Sequence, residues 1–431
     1  MGLIISIALV ALAATIAWLV YTYFLSPLAS IPNAGILAPV SRKITLKLSK
    51  LHQRLGLLVR IGPNQILFYS LDIYKTVHAP NSPFVKDPRD GHPALFSITN
   101  TKEHAQRRRH MGILFNRSKV PALTEIILEQ IDKWIVCLSL ATIKGPIDLG
   151  PSCRALESDI VCELAVIKEN DLKSSKMSVY VNFPLAVGLW YSVAAWIYRL
   201  SDWEVFSVIS SQRFDKWADS QLIATKDSEK APRLCFFKVM AGARVSEQSA
   251  LSEAKEMLGP GTDITSATLA YIIYVLSLNQ SFQAGLVAEL DASGWPSDMS
   301  VLEAIPRLVA CVKEGIRWTG AAAVMLPRIV PRVGSSLVGK YLPEGEKNDT
   351  TSRRDDYYIP FFKGASTCIG NHFAYLELYL FLSRLLKRYS IHPADLSGAN
   401  ALDHEAVLPP RLEWVAAVPM NRLEVVLQER S

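Results

Sequence analysis

The chain opens on an apolar run. From Leu3 to Leu25 there is no charged residue, and the first one along the chain is Arg42. About 20 such residues cross a bilayer as a helix. The far end of the run is aromatic (Trp18, Tyr21, Tyr23, Phe24) and is followed by Ser26-Pro27, the pattern of an interfacial exit. A cleaved leader wants a basic start, a shorter apolar core and a small-residue cleavage site; this start has no Lys or Arg. The pattern therefore predicts an uncleaved anchor over 1–25, a linker over 26–50 stiffened by Ile31-Pro32-Asn33-Ala34-Gly35, and one large domain over 51–431. Within His52–Phe68, two short β-like runs flank Gly62-Pro63-Asn64 and predict a hairpin. From about residue 100, apolar residues recur at three- and four-residue spacing, which predicts helices. Pro327–Pro343, rich in Pro, Gly and Val, predicts short strands and turns. Met177–Tyr198 is a second charge-free stretch, interrupted by Asn182, Pro184 and Gly188; it reads as a surface-seated segment dipping into a membrane. The expected class is mainly α with small β-sheets, preceded by one N-terminal transmembrane helix.

Charge orients the anchor. Arg42, Lys43, Lys47, Lys50, Arg54 and Arg60 follow the apolar run and no basic residue precedes it, so the positive-inside rule places the body of the protein in the cytosol. With 431 residues, half of them apolar, the chain can bury a large core. The net charge of +6 is mild, and no polybasic block or aromatic–basic stripe is present, which argues against nucleic acid as a partner. Six cysteines (Cys137, Cys153, Cys162, Cys235, Cys311, Cys368) lack paired spacing, as expected in a reducing compartment.

One of these cysteines carries chemistry. Cys368 lies in Phe361-Phe362-Lys363-Gly364-Ala365-Ser366-Thr367-Cys368-Ile369-Gly370, just before a long apolar segment from Asn371 to Arg388. A helix start supplies amide donors and a favourable dipole, so the position can present a thiolate to a metal. Upstream, Glu314 and Arg317 are three apart and share a helix face, where they can pair. Pro260-Gly261-Thr262-Asp263-Ile264-Thr265 sits inside an apolar helical run, where Pro260 removes a helical donor. His104 and Arg108 are four apart in a basic stretch and share a face.

The Cys368 stretch resembles the haem-binding loop F-x-x-G-x-R-x-C-x-G of the cytochrome P-450 family, and the other three matches occur in family order. The chain is similar to fungal microsomal members. The resemblance implies the cytochrome P-450 fold, a haem b with Cys368 as axial thiolate, and a cofactor-binding loop including Phe361, Gly364 and Gly370. It further implies haem-propionate contacts from His104 and Arg108, proton delivery by Asp263 with Thr265, and a structural ion pair between Glu314 and Arg317. It implies a monooxygenase of the endoplasmic reticulum membrane that takes electrons from NADPH through cytochrome P-450 reductase. The implied reaction inserts one oxygen atom into a lipophilic small molecule of secondary metabolism.

The chain departs from the family pattern at three places. Ser366 stands where the loop usually has Arg, Ile264 where the helix usually has a hydroxyl, and only residues 346–360 fill a normally longer segment that brings a further Arg. Arg353 and Arg354 are the candidates to replace it. These departures keep two alternatives open: a haem-thiolate isomerase or dehydratase that does not use O2, and a truncated, non-catalytic paralogue.

The cytosolic orientation predicts that the sequons at Asn116, Asn279 and Asn348 stay unmodified. A mobility shift of the expressed protein on endoglycosidase treatment would refute that topology.

Overall fold

The structure is a computed structural model. It describes residues 6–430 apart from 35–43, 87–93, 166–235, 323–327, 343–346, 351–357, 395–410, 414–416 and some isolated positions. The apolar Met177–Tyr198 segment and Arg353 and Arg354 lie outside the described residues. The chain divides into two compact units. The smaller comprises 1–90, 98–102 and 325–367, and the larger 91–97, 103–324 and 368–431.

The smaller unit holds α1 (Ile44–Leu55), β1 (Leu58–Gly62), β2 (Gln65–Phe68), α2 (Leu71–Val77), β3 (Val85–Lys86), β5 (Arg328–Ile329), β6 (Ser335–Leu337), β7 (Lys340–Leu342) and β8 (Lys347–Thr350). The expected hairpin forms, with Leu58 opposite Phe68 and Gly62 opposite Gln65. The Pro327–Pro343 stretch gives short strands as expected. The polar run Lys347–Thr350 is itself a strand, which its composition did not suggest. It lies between β2 and β5 in the order β1-β2-β8-β5-β3, parallel to β2 and antiparallel to β5. Pairing on both edges outweighs the poor strand propensity of Lys, Asn and Asp.

The residues read as a linker behave differently in part. Leu28 and Ile31 are fully buried against Leu58, Ile66 and Phe68. The Arg60 amide donates to the Pro32 carbonyl, and the Ala34 amide to the Arg60 carbonyl. Apolar burial plus two backbone bonds thus tie 28–34 to the hairpin. Ahead of them, the described residues from Ser6 to Val20 are helical, and Leu9, Val10, Leu12 and Ile16 all expose half or more of their surface.

The larger unit is helical. It contains α3 (Thr101–Phe115, from Glu103 on), α4 (Thr124–Thr142), β4 (Ile147–Asp148), α5 (Leu149–Ala165), α6 (Phe236–Gly242), α7 (Glu247–Leu278), α8 (Gln280–Ala292), α9 (Met299–Leu302) and α10 (Pro306–Thr319). After them come α11 (Asn371–Arg388), β9 (Tyr389–Pro393), β10 (Arg411–Glu413), β11 (Ala417–Pro419) and β12 (Glu424–Glu429). β12 pairs with both β9 and β4, and β10 with β11. The axis of the unit is α7, which packs on α5, α10 and α11. Its half from Gly261 to Leu278 is long and apolar enough to cross a membrane, but 67% of that stretch is buried, so it is a core helix. Ser246 caps its start by accepting the Ser249 amide, and the helix continues unbroken through Pro260. Gly315 of α10 lets the two helices meet: a Cβ there would overlap the Ile272 side chain of α7.

Two carboxyls are sealed inside this core. Glu157 of α5 and Glu377 of α11 are 0% and 1% exposed. Burial pushes Glu157 up to about 8; burial and the neighbouring Glu157 raise Glu377 well above the carboxylate range. The pair is stable while it holds protons.

Folded-state values above the unfolded ones mean that the native state binds more protons, so stability present at low pH is lost as pH rises from the ordinary carboxylate range through about 8. Glu157→Gln should match the parent at pH 5 and exceed it at pH 8 by more than about 1.4 kcal/mol, the free energy of a tenfold change in proton affinity. Thermal melts at the two pH values measure this, and parallel pH profiles would refute it.

Candidate active site

Cys368 is the first residue of the larger unit after the chain leaves the smaller one at Thr367. The turn before it is built in the smaller unit. Phe362 has φ 62° and Gly364 φ 75°. A Cβ on Gly364 would run into the His78 carbonyl oxygen, so that position tolerates only glycine. The Lys363 amide donates to Tyr74 Oη at 2.9 Å, and the Phe362 ring meets His78 edge-on at 5.7 Å. Ser366 closes a short 3₁₀ turn, stapled by Thr367 Oγ1 donating to the Gly364 carbonyl at 2.8 Å. Phe361 is half-buried.

The same unit holds groups that the sequence did not single out. Arg328 is buried at the start of β5, and its charge acts on both Tyr74 and His78. Burial first, and then Arg328, push the His78 ring down to about 3, so it is neutral, and neither ring nitrogen has a hydrogen-bond partner among the described residues. A cation and unsatisfied nitrogens beside a strained loop suit a carboxylate-bearing ligand.

In the larger unit the Cys368 thiol is exposed to solvent, yet surrounding protein raises its pKa. An accessible but enclosed group lines a recess. Two influences oppose the rise, a hydrogen bond from the Gly370 amide and the charge of Arg108. Gly370 caps α11, and a Cβ there would meet nothing within 4 Å, which leaves room for a flat ligand. Arg108 is half-buried on α3; burial lowers its pKa and Cys368 restores part of it. His104, one turn earlier, is 7% exposed. The buried arginine of this stretch is Arg107. Its Nη1 donates to Glu253 Oε1 at 2.7 Å and its Nη2 to Ser249 Oγ at 2.8 Å.

On α7, Gly261, Asp263 and Ile264 are half-exposed, whereas Thr262, Thr265 and Ser266 are buried. One side of the helix is therefore open, and Thr265 lies on the other. Asp263 is an ion pair with Arg154 of α5, with Nε 3.1 Å from Oδ1 but off the hydrogen-bond line. Burial raises the Asp263 pKa, and Arg154 offsets part of the rise. The structure thus brings Asp263 to the open side with Ile264 and does not bring Thr265 there. Glu314 and Arg317 do pair, through two hydrogen bonds, but their side chains are 60% and 57% exposed. The pair is solvated, so it carries none of the cost of buried charge.

Sequence reasoning passed over Arg107, Arg154, Glu253 and Arg328. Nothing local marks them, because each acquires its role from a partner far along the chain. The triple arginine Arg107-Arg108-Arg109 held the one usable signal, and periodicity alone does not rank its members.

The cytochrome P-450 family model matches residues 220–347 and 341–413. The two pieces meet at the place where the sequence shows its short segment. The chain is 24% identical to a cytochrome P-450 monooxygenase, macH, of Penicillium terrestre, over 89% of this chain and 90% of that one. It is 22% identical to a fusicoccadiene C-8 hydroxylase of Alternaria brassicicola, over 95% and 94%. It is also 22% identical to a conidiogenone synthase of Penicillium rubens, over 87% and 86%. These alignments run to 464, 511 and 434 residues, longer than the chain's own 431, so the relatives carry residues that this chain lacks. The helical body with small sheets, the thiol before an apolar helix and the matches along most of its length make this chain similar to fungal cytochrome P-450 monooxygenases.

Proposed function

We propose that the protein is a haem-thiolate monooxygenase that places one oxygen atom from O2 into a lipophilic small molecule of fungal secondary metabolism. The observation that carries this reading is Cys368, an accessible thiol in a recess, with an amide donor and the Arg108 guanidinium both favouring its thiolate. The residues of the larger unit fit a haem b: a thiolate donor, open space beside Gly370 and a half-buried cation at Arg108. Bound through that thiolate, the iron supplies the activation of O2.

The chain's own groups do the rest. The Gly370 amide and Arg108 favour the Cys368 thiolate, against the burial that raises the thiol's pKa. Arg108, with His104 one turn earlier on α3, would take a haem carboxylate. Phe361 and Gly364 belong to the loop that precedes the thiol in the chain. Asp263, raised by burial and tethered loosely to Arg154, holds and releases a proton at its carboxyl on the open side of α7. Thr265 stays behind it in the core, so a water rather than this hydroxyl would complete the relay. Glu314 and Arg317 brace the surface of α10. The apolar, exposed helical residues before Val20 support a single-pass anchor over 1–25 in the endoplasmic reticulum membrane, with the 51–431 body cytosolic and served by NADPH–cytochrome P-450 reductase.

A second reading has its own observation. Ile264 occupies the open side where a hydroxyl would assist O2 chemistry, which suits a haem-thiolate isomerase or dehydratase.

Reduced, carbon-monoxide-bound protein should show the red-shifted thiolate Soret band, and Cys368→Ser should abolish it. A parent protein without the band overturns the proposal. Asp263→Asn should keep the band and lower oxygen consumption driven by NADPH and reductase by about 100-fold. Turnover that needs neither NADPH nor reductase would select the isomerase reading instead.

A further inference from the structure

One helix of the larger unit keeps an apolar stripe in water. α4 (Thr124–Thr142) buries Ile127, Ile131, Trp134 and Leu138, and packs on α5 and α11. Its other side exposes Val136, Leu140 and Ile143 by 55%, 63% and 82%. Ile143 follows the last residue of the helix but keeps helical dihedrals (φ −62°, ψ −27°), so it continues the stripe. Scattered apolar residues on a surface need no explanation, but these three stand in register. Glu129, Lys133, Val136, Leu140 and Ile143 alternate in spacing of four and three. They fall within about 80° of arc, the spacing of a seam along which two helices pack. The first end of the seam is polar and satisfied within the chain, since Lys133 Nζ donates to Glu129 Oε1 at 2.7 Å. The far end is apolar and has no such partner.

Charge along α4 selects the partner and its direction. The first half carries Glu125, Glu129 and Asp132 against a single cation, Lys133; no further charge follows until Lys144, exposed just past the helix. Two copies packed in parallel would lay acid on acid. Packed antiparallel about a two-fold axis between Val136 and Leu140, each acidic half lies beside the Lys144 end of the other copy, and the helix dipoles oppose. Val136 of one copy then meets Leu140 of the other, and Ile143 covers the methylene stem of Lys133. A two-fold axis turns each flank of the seam onto itself. The exposed Cys137 thiol, one residue from the stripe, therefore faces Cys137 of the second copy. Helices pack about 8–10 Å apart, which keeps the two thiols within reach of a short linker.

We propose that the stripe Val136, Leu140 and Ile143 of α4 is a self-association surface, and that its occupant is the same stripe of a second copy of this chain, packed antiparallel. Three exposed side chains on each copy bury less than the roughly 1,200 Å² of a standing complex, so the dimer is weak and forms only where the chain is concentrated. None of its residues belongs to the proposed site, so the inference stands independently of the haem-thiolate reading.

The test treats the full-length protein in detergent with a short bismaleimide at increasing protein concentration. A dimer band should rise with concentration and be lost in Cys137→Ser. Leu140→Glu and Ile143→Glu change exposed positions and leave the fold intact. Each should lower the yield at least about tenfold, because it sets a carboxylate against an apolar side chain in both copies. Lys133→Leu, which carries the apolar seam one step further, should raise the yield. Sedimentation of the parent and of Lys133→Leu should show the same shift without a crosslinker. A dimer band that persists at full strength in Cys137→Ser overturns the proposal, as does a yield that Leu140→Glu and Ile143→Glu leave unchanged. A parent that stays monomeric at every concentration overturns it too, whether lipid or another protein then covers the stripe.

Discussion

Carboxylates along α7 are the constraint on which the larger unit depends. A core helix that carries acids must give each of them a partner, because an isolated desolvated charge costs several kcal/mol. Glu253 takes Arg107 of α3, Asp263 takes Arg154 of α5, and Glu256 takes the Phe96 amide. Three separate pieces of chain are thereby referenced to one helix. Apolar packing supplies most of the adhesion, but it is non-directional. The ionic and hydrogen-bonded partners fix where along α7 each neighbour sits, and so fix which side stays open.

The recessed thiol obeys a balance of the same kind. Enclosure by protein disfavours the thiolate, while the Gly370 amide and Arg108 favour it.

The sequence was informative where a requirement is local. The hairpin over Leu58–Phe68, the strands after Pro327 and the helix after Gly370 were each legible from turn residues and periodicity. The thiol was legible because a cysteine between two glycines before an apolar run is an uncommon arrangement. The strand Lys347–Thr350 was not, since its pairing partners β2 and β5 decide it. Nor was the burial of Leu28 and Ile31, which two backbone bonds to the hairpin impose. Glu314 and Arg317 formed the expected pair, but only the surroundings of α10 could show that it faces water.

By itself the sequence determined the order of the main elements, the candidate ligand Cys368 and the resemblance to the cytochrome P-450 family. Those rest on motifs and their order, which are properties of the chain alone. The tertiary structure decided which of three adjacent arginines is buried, which acids share protons, and that Asp263 and Ile264 rather than Thr265 face the open side of α7. Such outcomes depend on desolvation, and desolvation at any residue is set by atoms from segments a hundred or more positions away.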